Sequence, residues 1–223
     1  WGLQVSRNIV RSDPKRAAIY VCYEHDRSHL LSRLLCLESA ELGNDPDGGL
    51  TLRRLGQIAA TGDPKEGLVT KLRKMPRYAP VLDEIESYAN RLILVKASGV
   101  HSSLEQIRDW CYSMLETGPQ QLLLVVDYLQ KIPVDRRSLG PDIEDTTYLT
   151  QNLKELAMTT GSYVIALAAS DRAGLQATRM RFEDLRGSSA LQYEADIGMI
   201  FNNKFSIVSR EHMVYNPTQA ETM

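Results

Sequence analysis

Two carboxylates in this sequence come directly after apolar runs. Glu24 follows AAIYVCY, and Asp127 ends the run QLLLVVD. A carboxylate at the end of a buried strand is costly unless a cation or a hydrogen-bond partner lies close to it. Two such carboxylates on neighbouring strands suit a divalent metal ion and an activated water. The sequence therefore predicts hydrolytic, metal-assisted chemistry at Glu24 and Asp127.

The run that ends at Asp127 has the pattern of a Walker B strand. In such a strand, one aspartate reaches the magnesium of a bound nucleotide, directly or through a water. Taken alone, LLLVVD fits equally well with an acidic residue that caps a turn. The continuation Asp127-Tyr128-Leu129-Gln130 is more distinctive and favours the nucleotide interpretation.

Four arginines follow one another in a short stretch that also contains small residues. They are Arg172, Arg179, Arg181 and Arg186, followed by Gly187 and Ser188. Arginines beside small residues can hold phosphates while backbone N–H groups approach closely. A solvated loop balanced by Asp171, Glu183 and Asp184 is an equal alternative. A second basic group is predicted to be the solvated face of a helix; it comprises Lys71, Arg73, Lys74 and Arg77.

The carboxylates must be positioned by strands, and five segments read as buried strands. They span 17–23, 91–96, 121–127, 163–169 and 196–202. All five are apolar nearly throughout rather than alternating, which is typical of parallel strands covered on both faces. Helical segments between them indicate an α/β fold, in which ligands bind beyond the carboxyl ends of the strands. The tyrosines within these runs, Tyr20 among them, are assigned to core packing.

The intervening segments carry apolar stripes at helical spacing. Three of them are Leu30/Leu31/Leu34/Leu35, Leu104/Ile107/Cys111/Met114 and Leu149/Leu153/Leu156/Ala157. The opening residues WGLQVSRNIVR predict a further helix, with Trp1, Val5 and Ile9 on its apolar face.

The composition excludes several classes of protein. The 223 residues are 43% apolar and 24% charged with a net charge of −2, so a disordered chain, a collagen and a disulfide scaffold are excluded. No apolar run approaches the roughly 18 residues of a membrane span, and no secretory signal opens the chain. Three unpaired cysteines favour buried thiols and a cytoplasmic location. A nucleic-acid partner would require a local basic cluster rather than net charge.

Three segments resemble the DnaB-like replicative helicases of the RecA-fold ATPases. They are IYVCYEHDRSHLLSRLL (19–35), VVDYLQKI (125–132), and the run from 149 to 202 that contains LKELAMTTGSYVIALAASDR and DLRGSSALQYEADIGMIF. The motifs follow the family's order and spacing. DLRGSSAL also resembles RadA-type and circadian-clock ATPases.

This resemblance implies a RecA-like P-loop NTPase core with a mainly parallel, twisted sheet flanked by helices. It implies ATP hydrolysis with Mg²⁺, with Glu24 as general base and Asp127 as the magnesium-associated carboxylate. Nucleotide contacts are expected from Asp127, Tyr128, Gln130 and Arg172. Contacts with single-stranded DNA are expected from the loop residues Arg179, Arg181, Arg186, Gly187 and Ser188. The expected assembly is a homo-oligomeric ring, a hexamer, without a membrane partner.

The sequence departs from the family pattern in two ways. No GxxxxGK[ST] loop occurs in it, and the opening residues resemble the helix that follows that loop. We therefore expect one RecA-like domain over 1–223 that lacks its Walker A loop and C-terminal end, with a helical insertion at 43–90. Ala169 also stands where the family has a glutamine that senses the γ-phosphate. Two alternatives stay open: a RadA-like or clock-like ATPase that remodels DNA or protein, and a degenerate ATPase that serves as an assembly module.

Overall fold

A computed structural model describes residues 1–43, 48–135, 144–177 and 179–202. Within these residues, four parallel strands form one sheet in the order β2-β1-β3-β4. The strands are β1 (Arg16–Cys22), β2 (Leu92–Lys96), β3 (Gln121–Asp127) and β4 (Tyr163–Ala166). Helices connect them along the chain, which confirms the predicted α/β fold with a parallel sheet.

The burial of their side chains explains why the central strands could be predicted from the sequence. In β1 and β3 almost every side chain is buried, because both have a strand on each side and are covered on both faces. The outer strands β2 and β4 are more exposed; Tyr163 of β4 retains 63% of its surface. Four of the five predicted strands are thus confirmed, although β4 ends at Ala166 rather than at Ala169.

The fifth predicted strand, 196–202, is wrong. These residues have no regular secondary structure, and Ile197, Met199 and Phe201 are exposed. A strand exists only when a neighbouring strand satisfies its backbone groups, and no described strand pairs with this segment. Its apolar composition alone therefore predicted more structure than the described residues support.

Nine α-helices are present among the described residues. They are α1 (Gly2–Ser12), α2 (Arg27–Glu41), α3 (Leu52–Ala60), α4 (Leu68–Arg73), α5 (Ala79–Tyr88), α6 (Leu104–Glu116), α7 (Asp145–Thr160), α8 (Arg172–Gln176) and α9 (Ser188–Glu194). The three predicted apolar stripes lie on α2, α6 and α7, and most of their side chains are buried. Leu31 and Ala157 are only half-buried. None of the described helices is long and apolar enough to cross a membrane.

The chain divides into two compact units. The first comprises Trp1–Pro133 and Glu155–Leu167, and the second comprises Val134–Lys154 and Ala168–Met223. The first unit contains the sheet, and α1, α2 and α5 supply side chains to the core against it. A second apolar cluster joins α2 to α3, α4 and α5. The predicted helical insertion at 43–90 contains α3, α4 and α5, and its status as an insertion stays a prediction. Residues 44–47 of it and residues 203–223 at the end of the predicted domain lie outside the described residues.

The predicted apolar face of α1 needs correction. Trp1 is 51% exposed, Val5 and Ile9 are half-buried, and the fully buried side chains include Leu3, Val10 and Arg7. The face is rotated because Arg7 reaches a carboxylate inside the unit. Its Nε and Nη2 atoms lie 2.6 and 2.5 Å from the two carboxylate oxygens of Glu38 on α2.

Tyr88 at the end of α5 completes this buried network. Its hydroxyl donates to Glu38 Oε1 at 2.5 Å, so one carboxylate joins α1, α2 and α5. Burial alone would raise the pKa of Glu38, but the hydrogen bonds from Arg7 and Tyr88 and the charge of Arg7 outweigh it and lower that pKa. Glu38 is therefore ionised inside the core at neutral pH.

The basic group on α4 and after it also needs correction, because Lys71 is not solvated. Lys71 is 6% exposed, and its ammonium donates to the carbonyls of Ala59 and Thr61 at 2.8 and 2.6 Å. These carbonyls lie at the C-terminus of α3, where a cation is favoured by the helix dipole. Its neighbour Lys74 pairs with Glu66 at 2.5 Å.

Candidate functional site

Asp127 lies at the carboxyl end of β3, directly beside the end of β1. In the register of the sheet it is opposite Cys22, and its carbonyl accepts the N–H of Tyr23 at 2.8 Å. Its carboxylate is held from β1: the Tyr20 hydroxyl donates to Oδ2 at 2.7 Å, and Cys22 Sγ lies 4.0 Å from the same oxygen. The other oxygen, Oδ1, has no hydrogen-bond partner among the described residues. The carboxylate thus has one occupied oxygen and one available oxygen.

Tyr20 is a site residue that the sequence interpretation missed. It was assigned to the core, and it is indeed only 4% exposed. Burial and the hydrogen bond to Asp127 raise its pKa above the ordinary value for tyrosine, so the phenol remains a proton donor. A signal was available: Tyr20 and Cys22 lie two residues apart on one face of β1, next to the strand that ends in Asp127. Burial likewise raises the pKa of the Cys22 thiol.

Glu24 lies in a bend between β1 and α2, two residues beyond the end of the strand, and is exposed. The alternative role for it was the start of a helix, but that position belongs to Asp26. The Asp26 carboxylate caps α2 by accepting the N–H of His29 at 2.7 Å, and this bond together with the Ser28 hydroxyl lowers its pKa. Glu24 is therefore not needed to cap α2. It follows β1 at the edge of the sheet where β3 ends in Asp127.

Tyr128 and Gln130, two further residues expected to contact nucleotide, follow Asp127 at this edge. The Asp127–Tyr128 peptide bond is cis, and a short 3-10 helix spans Leu129–Lys131. The N–H of Leu129 donates to the carbonyl of Leu167 at 2.8 Å, which fixes this turn beside the end of β4. Tyr128 and Gln130 are half-buried. The ammonium of Lys131 lies 5.8 Å from the centre of the Tyr128 ring, within cation–π range.

A second missed feature is the loop that follows β2 at the same edge. The Tyr23 hydroxyl donates to the carbonyl of Ser102 at 2.6 Å, and the Ser102 hydroxyl accepts the N–H of Ser98 at 2.9 Å. Burial raises the pKa of Tyr23, so it too remains a donor. These bonds tie the loop to the residue that precedes Glu24. They help to define the edge where the two candidate carboxylates lie.

The predicted arginine segment belongs to the second unit, where it forms a closed loop. Ser170 and Leu185 form an antiparallel bridge, and the N–H of Arg186 donates to the carbonyl of Ala169 at 3.0 Å. Asp171 caps α8 by accepting the N–H of Gly174 at 2.7 Å, and Arg172 is the first residue of that helix. Residues 171–184 are therefore closed at their base, and Arg172 is exposed.

Three predicted DNA-binding arginines lie in this loop or directly after it. Arg179, Arg181 and Arg186 are exposed, while Arg181 also lies 3.7 Å from Glu183. The acidic neighbours that would balance them are partly occupied, since Asp184 accepts the N–H of Arg181 at 2.7 Å. The negative charge of Asp184 is thus directed in part to a backbone N–H group rather than to an arginine side chain.

Gly187 is the pivot between this loop and α9. Its φ of +78° is in the left-handed region, and a Cβ there would collide with the side chain of Thr146. Only glycine meets both conditions without strain. Ser188 is the first residue of α9.

The donor set suits magnesium as part of a nucleotide complex. Magnesium prefers oxygen ligands and is usually bound by one or two carboxylates together with substrate phosphates. Asp127 Oδ1 offers one such oxygen. Among the described residues, no three His, Cys, Asp or Glu side chains gather closely enough to hold a metal ion by themselves. The remaining ligands would therefore have to come from phosphate and water.

A hollow of about 290 Å³ lies at the opposite ends of the strands. It is lined by residues that begin β1, β3 and β4, including Arg16, Gln121 and Tyr163. Because parallel sheets bind ligands at their carboxyl ends, this hollow is not the candidate site. The candidate site is the edge of the sheet that carries Asp127.

These features define the class of protein: an α/β protein whose parallel sheet has one carboxylate at the end of β3 and another two residues beyond the end of the adjacent β1. Its fold is similar to a solved structure described as an ATPase domain, with a TM-score of 0.62 and 20% identity over 87% of this chain and 61% of that chain. It is equally similar to a DnaB-like replicative helicase studied for its interactions with primase, with a TM-score of 0.62 and 18% identity over 87% of this chain and 41% of that chain.

The sequence identifies the family. The family model described as the DnaB-like helicase C terminal domain matches residues 2–222, and the chain belongs to this family. A comparison with curated proteins gives no significant match. The chain spans less than two thirds of the two solved chains to which it is similar.

Proposed function

We propose that this domain hydrolyses ATP with Mg²⁺ and, in the complete protein, drives a helicase or translocase on single-stranded DNA. The observation that supports it is the position of Asp127 at the end of β3 and of Glu24 two residues beyond the end of the adjacent parallel strand β1, in a chain of the DnaB-like family. The role of each residue follows from its position at this edge.

Asp127 would hold magnesium through Oδ1, directly or through a water. Bound magnesium would neutralise charge on the phosphates as the terminal phosphoryl group is transferred. Glu24, exposed and free of a capping role, would accept the proton of the attacking water. Tyr128 and Gln130 would supply further nucleotide contacts.

Arg179, Arg181 and Arg186, with Gly187 and Ser188, would contact the phosphates of single-stranded DNA. The support is the exposure of the three arginines in a segment where Gly187 removes side-chain bulk. The family supports the remaining elements of this proposal, which are a hexameric ring and a cytoplasmic location.

One observation favours a second candidate function, an ATPase-derived assembly module. Ala169 has no side chain that could sense a phosphate, although its carbonyl is bonded to the N–H of Arg186 in the arginine loop. Such a module would not require hydrolysis. The same experiment separates the two candidates.

The test uses the full-length protein and Asp127→Asn. This change keeps the size of the side chain but removes the charge, so magnesium-dependent ATP turnover should fall by at least about a hundredfold. Nucleotide binding, measured with a fluorescent ATP analogue, should survive because phosphate-binding backbone groups supply much of the affinity. Full turnover in the variant would refute the role of Asp127, and a wild-type protein without turnover would support the module.

A further inference from the structure

We propose that Tyr20 is a positioning residue that makes Asp127 a one-oxygen ligand and thereby selects magnesium over larger cations. This inference rests on the proposed function. The observation that supports it is the 2.7 Å hydrogen bond from the Tyr20 hydroxyl to Asp127 Oδ2.

The hydrogen bond divides the carboxylate into two unequal oxygens. Oδ2 faces β1, where it accepts from Tyr20 and has the Cys22 thiol at 4.0 Å. A cation that approached Oδ2 would have to displace a buried donor. The displaced phenol would be left unsatisfied, since Tyr20 is 4% exposed and Cys22 is fully buried. Oδ1 is the oxygen that remains for a cation or its bound water.

Tyr20 also fixes the direction of the carboxylate. Tyr20 and Cys22 belong to β1, a central strand whose register with β3 places Cys22 opposite Asp127. The backbone that carries these two buried side chains is therefore fixed by strand pairing on both sides. A hydrogen bond to a charged group is about twice as strong as one between neutral groups, so it holds the carboxylate in one orientation.

A single, oriented oxygen affects cations differently. Mg²⁺ requires near-ideal octahedral geometry at about 2.0–2.1 Å and keeps most of its waters, so it needs only one oxygen from a carboxylate. Ca²⁺ is larger, takes roughly six to eight oxygens in flexible geometry and often binds both oxygens of one carboxylate. Withholding Oδ2 thus disfavours Ca²⁺ more than Mg²⁺.

The experiment compares Tyr20→Phe with wild type in the full-length protein bound to a non-hydrolysable ATP analogue. Mn²⁺ is bound first, and its displacement by Mg²⁺ or Ca²⁺ is followed by the electron paramagnetic resonance signal of free Mn²⁺. Tyr20→Phe removes one hydroxyl and leaves the ring. The preference for Mg²⁺ over Ca²⁺ should fall by roughly threefold to tenfold, the scale of the net contribution of one ordinary hydrogen bond.

The matched control is Tyr88→Phe. Tyr88 is 1% exposed and also donates to a carboxylate, that of Glu38, so its loss carries a similar stability cost away from Asp127. It should leave the Mg²⁺/Ca²⁺ ratio at the wild-type value. A Tyr20→Phe ratio equal to that of Tyr88→Phe would overturn the inference, as would equal weakening of both cations.

Failure of the inference is distinguishable from failure of the proposed function. If Asp127→Asn loses the nucleotide-dependent Mn²⁺ signal while Tyr20→Phe keeps the wild-type ratio, Asp127 holds the metal and the inference about Tyr20 is wrong. If wild-type protein shows no nucleotide-dependent Mn²⁺ binding, the proposed function and the inference both fall.

Discussion

Removal of the Glu38 charge should destabilise the first unit severely. Glu38 and Arg7 are 0% and 2% exposed, and they form two hydrogen bonds of 2.5 and 2.6 Å. Glu38→Gln would leave the guanidinium of Arg7 buried without a compensating charge. Breaking a buried pair from one side costs about 3–5 kcal/mol. For a chain of this size that corresponds to a fall in Tm of roughly 6–20 °C.

The assay is urea unfolding followed by circular dichroism at neutral pH, with Glu41→Gln as the control. Glu41 lies on the same helix and 4.0 Å from the same guanidinium, but its side chain is 44% exposed. An exposed pair contributes about 1 kcal/mol or less. Equal losses in the two variants would refute the argument that burial makes the Glu38 contact costly to break. A double change, Arg7→Met with Glu38→Leu, should recover much of the stability because no charge is left buried.

The same pair gives a pH dependence whose sign follows from the lowered pKa of Glu38. As pH falls, the unfolded chain takes up the Glu38 proton first, near the ordinary glutamate value of about 4.3. The contribution of Glu38 to the free energy of unfolding is therefore complete above that pH and is lost as pH falls through the folded pKa. The stability difference between wild type and Glu38→Gln should shrink over this acidic range. A difference that stays constant from neutral pH to about pH 3 would contradict the assignment.

Two further predictions test the proposed activity. Glu24→Gln should keep nucleotide binding but slow steady-state ATP hydrolysis by at least about a hundredfold, the scale of a lost general base; an unchanged kcat would remove Glu24 from the mechanism. Replacing Arg179, Arg181 and Arg186 by alanine should weaken single-stranded DNA binding. It should also flatten the dependence of log affinity on log salt concentration by up to about 2, because fewer counterions are released when phosphate contacts are lost. The control carries the same loss of charge at exposed positions outside the loop: Lys15, Arg53 and Lys65. Equal slopes for the two triple variants in a salt titration would refute the loop assignment.

The two central strands could be predicted from the sequence because both are buried on both faces. Apart from their end residues, β1 and β3 are apolar without interruption, and this pattern can be recognised without knowing which strands lie beside them. The segment 196–202 has the same composition but lacks a described partner strand, so composition alone failed there. Apolar character predicts that a segment is buried in some context; the ladder that makes it a strand is a property of two segments.

Buried charges were the second limit of sequence-based prediction. Lys71 was predicted to be solvated because lysine is rarely buried, and no sequence pattern indicated that Arg7 would be buried. Each is buried by a partner distant in sequence: the Glu38 carboxylate for Arg7, and the carbonyls that end α3 for Lys71. Tyr20 was likewise assigned to the core, because the carboxylate to which its hydroxyl donates, that of Asp127, is 107 residues away in the sequence. The candidate carboxylates could be identified from the amino-acid sequence, whereas the groups that orient them could not.

The position of β1 explains how these parts act together. Tyr20 and Cys22 of this strand face Asp127, and the chain then continues through Glu24 into α2. α2 is held in turn at Glu38 by Arg7 of α1. The N–H of Tyr23 in the β1–α2 connection donates to the carbonyl of Asp127, so a change in this connection would alter both proposed catalytic groups, whereas a change in the turn after β3 would alter one. The residues around Glu24 are for this reason the ones whose substitution should affect turnover without touching the carboxylates themselves.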